Sequence, residues 1–133
     1  MGDRVFNFVL RWARKYPGGV FLLRFIYGFD LPKKAVIGKN IRFNHRGLGT
    51  VISANARIED NVWIEHHVTL GMKMNGKEAG APTVKSGVFL GAYSIILGNV
   101  TIGENSIIGA GTIVLNDVPA DSKIINDIKT RFI

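Results

Sequence analysis

The chain has 133 residues, a formal net charge of +7 and no cysteine. It is long enough for one domain with a core of its own, and without cysteine it can form neither a disulfide nor a thiolate zinc site. The charge calls for an anionic partner. The lysines and arginines are scattered, however, and carry no zinc-finger, helix-turn-helix or base-stacking signature, so no nucleic-acid partner is expected. "MGDRVFNFVLRW" lacks the order of a secretory signal, and the longest apolar run, "GGVFLLRFIYGF", is broken by Arg24 and too short to span a bilayer. A cytoplasmic location is the default expectation.

Taken in chain order, "DRVFNFVLRWARKY" places apolar residues at 5, 6, 9, 10 and 13, with Arg4, Asn7, Arg11, Arg14 and Lys15 elsewhere. That spacing predicts an amphipathic helix ended by "PGG", and "VFLLRFIYGF" predicts a second short helix. Residues 1–30 are read as a helical cap over the open end of the repeat region that begins at residue 31. A basic amphipathic segment of this kind also suits peripheral contact with an anionic membrane.

Over 31–133 the pattern changes. Ile37, Phe43, Ile52, Ile58, Ile64, Leu70, Val84, Leu90, Ile96, Ile102, Ile108 and Val114 recur mostly every six residues. A helix needs apolar residues at three and four, and the turn dipeptides of antiparallel strands are absent. A period of six suits very short parallel strands with tight corners, three to a triangular coil and about four coils in all. Glycines and asparagines at the corners are expected to take backbone angles that bulkier residues resist. Two interruptions stand out: "HRGLG" adds residues between Phe43 and Ile52, and an excursion occupies 71–83. Loops thrown out of a rigid scaffold are where chemistry usually sits.

"IEDNVWIEHHVTLG", "VFLGAYSIILGNVTIGENSIIGAGTIVLNDVP" and the "NHRG" segment resemble the hexapeptide-repeat acyltransferases, in the branch of the serine acetyltransferases and related sugar or polysaccharide O-acetyltransferases. The resemblance covers roughly residues 28 to 126. It implies a mainly β, left-handed parallel β-helix that acts as a homotrimer, with acetyl-CoA as co-substrate and no metal. "NHRGLG" matches the family's general-base histidine with His45, and "DLPK" places Asp30 where the family has the aspartate that orients it. A neutral imidazole is chemically suited to take a hydroxyl proton near neutral pH, with a carboxylate on its other nitrogen fixing the tautomer.

By stacking, His66 should lie one coil from His45, where it could bind the acceptor or tune the base. His67, its neighbour, should face the opposite way, which weighs against the three-histidine zinc site of the γ-type carbonic anhydrases. The resemblance implies that acetyl-CoA runs along a groove at the small residues Gly71, Gly91, Ala92, Gly109 and Ala110, with Lys85, Lys129 and Arg131 as partners for its phosphates.

The family's acceptor-side Gly-Asp-Arg-His-Pro segment, whose arginine and histidine help bind serine, is here Ala79-Gly80-Ala81-Pro82, and its aspartate before the base is Asn44. With those charges thinned, a sugar or polysaccharide hydroxyl is the preferred acceptor, bound by Asn44, His66 and Trp63. Serine is the alternative. A β-helix serving only assembly or membrane docking is a third reading, in which His45 would be dispensable.

Overall fold

The computed structural model describes residues 2–77 and 79–127. Two helices come first, α1 (Gly2–Lys15) and α2 (Gly19–Tyr27). Phe6, Leu10 and Ala13 form the buried stripe of α1, and Leu23 is buried in α2. Gly28 stops α2 in the left-handed region at φ 60°, and its N–H donates back to Arg24 O.

The strands come next, wound in coils. β1 (Val36–Ile37), β2 (Arg42–Phe43) and β3 (Val51–Ile52) make the first coil. β4 (Arg57–Ile58), β5 (Trp63–Ile64) and β6 (Thr69–Gly71) make the second. β7 (Thr83–Val84), β8 (Phe89–Leu90) and β9 (Ile95–Leu97) make the third. β10 (Thr101–Ile102), β11 (Ile107–Ile108) and β12 (Ile113–Val114) make the fourth, and β13 (Lys123–Ile124) begins a fifth. Each strand pairs in parallel with the strand one coil away, which gives three sheets in the orders β1-β4-β7-β10, β2-β5-β8-β11-β13 and β3-β6-β9-β12.

In most of these strands one residue points out and the next points in. Ile58 lies on Val84, Ile64 on Leu90 and Leu70 on Ile96, and all six are fully or almost fully buried. Burying an aliphatic side chain of this size is worth about 1.5–3 kcal/mol, so the ladders carry most of the fold's stability. The hexad runs further than its regular part shows. Leu31, six residues before Ile37, is fully buried, and Asp30 bridges to Val51 on the edge of the third sheet.

The corners take the backbone angles expected of them. Left-handed angles fall on asparagines and other residues, among them Asn40, Asn61 and Asn105, as well as on several glycines. The glycines directly after the rungs serve a different need. A Cβ on Gly103 would collide with Ala120 N, and one on Gly91 would sit 2.5 Å from Ala110 N. These positions are small because the next coil lies against them. The excursion after β6 is a pinched hairpin, in which Lys73 and Gly80 exchange two backbone hydrogen bonds of 2.9 Å.

The helices pack on the first coil through an aromatic chain. Phe6 stacks on Phe29 at 6.3 Å, and Phe29 meets Phe43 at 4.8 Å between ring centroids. Arg14 donates to Lys33 O at 3.1 Å and Ala35 O at 2.6 Å, two backbone acceptors at the start of the first coil. Arg14→Ala leaves them without that charged donor and is expected to cost about 1–3 kcal/mol, read as a lower midpoint in urea unfolding at unchanged slope.

Between the second and third coils, Lys85 donates to Glu59 at 2.7 Å, and Ser86 adds its N–H and hydroxyl to the same carboxylate. The Lys85 ammonium holds the Glu59 carboxyl below the usual carboxylate range. A group depressed in the folded state stabilises above its unfolded pKa, and that contribution is lost as pH falls through the folded value. Thermal unfolding should therefore drop more steeply from about pH 5 to about pH 3 in wild type than in Glu59→Gln.

Candidate active site

The site is built at the corner between the second and third sheets. After β2 the chain makes a turn at Asn44–Gly47 in which His45 (φ 48°, ψ 33°) and Arg46 (φ 55°, ψ 33°) are both left-handed. Gly47 continues it at φ 71°. Left-handed backbone costs a non-glycine residue roughly 1–2 kcal/mol, and here it falls on two in a row. The extra residues of "HRGLG" make this turn, and it pushes the imidazole of His45 into solvent. A Cβ on Gly47 would lie 2.6 Å from the Phe29 ring, so the turn rests directly on the helical segment.

One coil on, Phe43 pairs with Ile64, which sets Asn44 against Glu65 and His45 against His66. The Asn44 amide donates to Glu65 Oε1 at 2.5 Å. The His45 and His66 rings meet edge to face with centroids 4.9 Å apart. This is the stacking expected from the spacing.

His67 departs from expectation. Its ring centroid lies 5.4 Å from that of His66, and it stacks on Tyr93 at 4.6 Å and 5°. Strand alternation requires extended backbone, and His67 is left-handed at φ 56°, so the corner returns its ring to the same side. His66 and His67 therefore do not lie on opposite faces, and their placement does not exclude a metal. His45, Glu65 and His66 each bring a ligand atom within 4.8 Å of the others. Among the described residues, the Nδ1 atoms of His66 and His67 are buried without a hydrogen-bond partner.

Tyr93 and Glu65 are members of the cluster that the sequence reading missed. The signal was available: Leu90 stacks on Ile64, so three residues further Tyr93 stacks on His67. Tyr93 N donates to His66 O at 3.1 Å. Arg46, exposed beside His45, was also passed over.

The same corner continues as small residues. Gly91 and Ala92 come after β8, Gly109 and Ala110 after β11, and the Gly91 and Gly111 N–H groups donate to Ile108 O and Ala92 O. These four expected cofactor residues thus stack in one column with the histidines. Gly71 and Lys85 do not join it. Gly71 ends β6 on the third sheet, with Leu97 against it, and Lys85 sits at the corner after the first sheet, bound to Glu59. Lys129 and Arg131 lie outside the described residues.

Trp63 is on the outer face of β5, between the Arg42 guanidinium at 4.4 Å and Phe89 at 5.7 Å, apart from the histidines. Asp30 lies next to the turn, its N–H donating to Thr50 O at 2.9 Å. Its carboxylate faces Arg24 at 3.9 Å, and among the described residues no hydrogen bond joins it to His45. A concave surface of the single chain lies elsewhere, between α1 and the first coil, lined by Asn7, Leu10, Arg11, Ile37 and Ile41 among others. The histidine corner is open in one copy of the chain.

Residues 81–116 match the family model for the bacterial transferase hexapeptide, a unit of six repeats. Serine acetyltransferase 4 of Arabidopsis thaliana is 45% identical over 101 residues, which is 74% of this chain and 28% of that protein. The crystal structure of Neisseria gonorrhoeae serine acetyltransferase in complex with serine superposes with a TM-score of 0.74 at 30% identity, covering 86% of this chain and 52% of that one. The Brucella abortus serine acetyltransferase in complex with coenzyme A gives a TM-score of 0.73 at 31% identity, covering 92% of this chain and 50% of that one. The chain thus spans about half the length of these solved relatives, and less of the plant protein. They back serine, the alternative acceptor, over the sugar preferred from the excursion. Residues 81–116 thus carry the bacterial transferase hexapeptide repeat, and over 74% of its length the chain is similar to a serine acetyltransferase.

Proposed function

We propose that this chain transfers an acetyl group from acetyl-CoA to the hydroxyl of serine, with His45 as general base. The observation that carries the proposal is the corner column: an exposed histidine on a strained turn, packed on a second histidine, at the head of a line of small residues. Strain of this kind gathers at functional sites. His45 takes the proton of the serine hydroxyl as the oxygen attacks the thioester carbonyl. The tetrahedral intermediate collapses, the C–S bond breaks, and the imidazolium returns the proton to the CoA thiolate. Asp30, beside the turn, is the proposed orienting carboxylate once it leaves Arg24.

A zwitterionic acceptor needs a carboxylate for its ammonium and a cation for its carboxylate. The positions at 79–82 supply neither, but Glu65 and Arg46 stand close to the base and at its side. Asn44 holds Glu65 in place. The pantetheine arm of acetyl-CoA would run along the column of Gly91, Ala92, Gly109 and Ala110, whose side chains are no larger than a methyl. A homotrimer would close the open corner with a neighbouring copy, and half-exposed apolar residues on the strands, such as Val51 and Ile113, suit burial there.

CoA release followed with a thiol-reactive dye is the direct test, since the chain has no cysteine to react. Serine should drive release, His45→Ala should lower the rate about 10²- to 10⁴-fold, and Glu65→Gln should raise KM for serine more than KM for acetyl-CoA. Release driven by sugars and not by serine would overturn the acceptor, and undiminished release in His45→Ala would overturn the base.

A base must keep its lone pair free. Added zinc ion can be chelated by His45, Glu65 and His66. It is expected to inhibit release, with activity restored by a chelator, and the chelator alone should leave the rate unchanged.

A further inference from the structure

We propose that the outward faces of α1 and α2 bind the surface of an anionic lipid bilayer. Helix α1 has two apolar faces, and the fold uses only one. Phe6, Leu10 and Ala13 are buried against the coils, whereas Val5, Phe8, Trp12 and Tyr16 lie 66%, 65%, 43% and 44% exposed. Their spacing of three, four and four residues places them on one strip of the helix, which the Tyr16 N–H extends by donating to Trp12 O at 3.1 Å. Helix α2 repeats the arrangement. Leu23 is buried, while Phe21 and Phe25 stand 70% and 79% exposed, with rings stacked at 6.4 Å. Single exposed apolar residues are ordinary, but a continuous strip on each of two adjoining helices marks a contact surface.

Charge identifies the occupant. Residues 4–29 contain Arg4, Arg11, Arg14, Lys15 and Arg24 and no acidic residue. Arg4, Arg11 and Lys15 are exposed along the strip next to the aromatics, and the Lys15 ammonium lies 5.6 Å from the Tyr16 ring centre. Phe8, Arg11, Trp12, Lys15 and Tyr16 line one shallow depression. Aromatic rings flanked by cations on long apolar stems match the layering of a bilayer interface, apolar below and anionic above. No helix among the described residues is long and apolar enough to cross a membrane, so the pair would lie in the plane of the surface. A second copy of the chain is a poor occupant, because a two-fold contact through this face would set Arg4, Arg11 and Lys15 against cations.

The test is co-sedimentation of the full chain with vesicles of phosphatidylcholine alone or with a quarter of phosphatidylglycerol. Binding should be about a hundredfold tighter to the anionic vesicles, as three basic residues near such a surface require, and should weaken as salt is raised. The double variants Phe8→Ser/Trp12→Ser and Arg11→Glu/Lys15→Glu should each abolish it while circular dichroism stays unchanged. Equal binding to both vesicles, or none to either, would overturn the proposal. So would a fall in molecular mass by light scattering in Phe8→Ser/Trp12→Ser, which would assign the face to a contact between copies.

Discussion

Register between coils is the constraint on which the rest of this structure depends. Strands of two residues cannot stand alone, and here each is held by backbone hydrogen bonds to a neighbouring coil, the inner strands on both sides. Those bonds set a spacing of about 4.8 Å, so an inward aliphatic always lands on another. Phe43, Ile64, Leu90, Ile108 and Ile124 form one such ladder from the first coil to the fifth. The same register acts outside the core. A residue at a fixed distance after its rung is stacked on its counterparts, which is why His45, His66, Ala92 and Ala110 share one corner. The ladder that stabilises the fold also lays out the candidate site.

The site then needs one deviation from that regularity. A rung-to-rung step of six would keep residue 45 within the wall of the coil. The extra residues of "HRGLG" instead wind a left-handed turn that lifts the imidazole clear. Such a turn costs a few kcal/mol across His45 and Arg46, and its surroundings hold it. Gly47 presses on the Phe29 ring, Leu48 N donates to His45 O at 3.1 Å, and His67 N donates to Leu48 O at 2.8 Å. Phe29, just after α2, touches both the turn and the core ring of Phe43.

Much of this was legible in the sequence, and the limits have physical causes. The hexad gave the coils, their number and the stacking of His66 on His45, because a repeat turns sequence distance directly into spatial distance. It failed where the backbone leaves the strand. His67 looked outward under strand alternation, and only its left-handed angle brings it back to the cluster. Gly91 was read as room for a cofactor, and the sequence alone did not show that the next coil's backbone also keeps it and Gly103 small. Leu31 and Ile124 were passed over because each stands at an end of the repeat, where the run of sixes stops or is interrupted. Lys85 looked like a free cation, and its engagement by Glu59 depends on a pairing 26 residues apart.

The reading of the acceptor shows the same limit in a sharper form. A linear comparison finds the charges of an amino-acid site missing, with Asn44 in place of an aspartate and Ala79-Gly80-Ala81-Pro82 in place of a charged segment. Stacking alters that count. Asn44 and Glu65 are 21 residues apart in the chain and hydrogen-bonded in space, so a carboxylate absent from one coil is present on the next at nearly the same place. Arg46 supplies a cation from the turn itself. A β-helix can move a charge by one coil with little change in the field at its corner, since one coil is only about 4.8 Å. The proposed specificity for a zwitterion therefore rests on which side chains the coils bring together, and a motif read along one coil cannot report it.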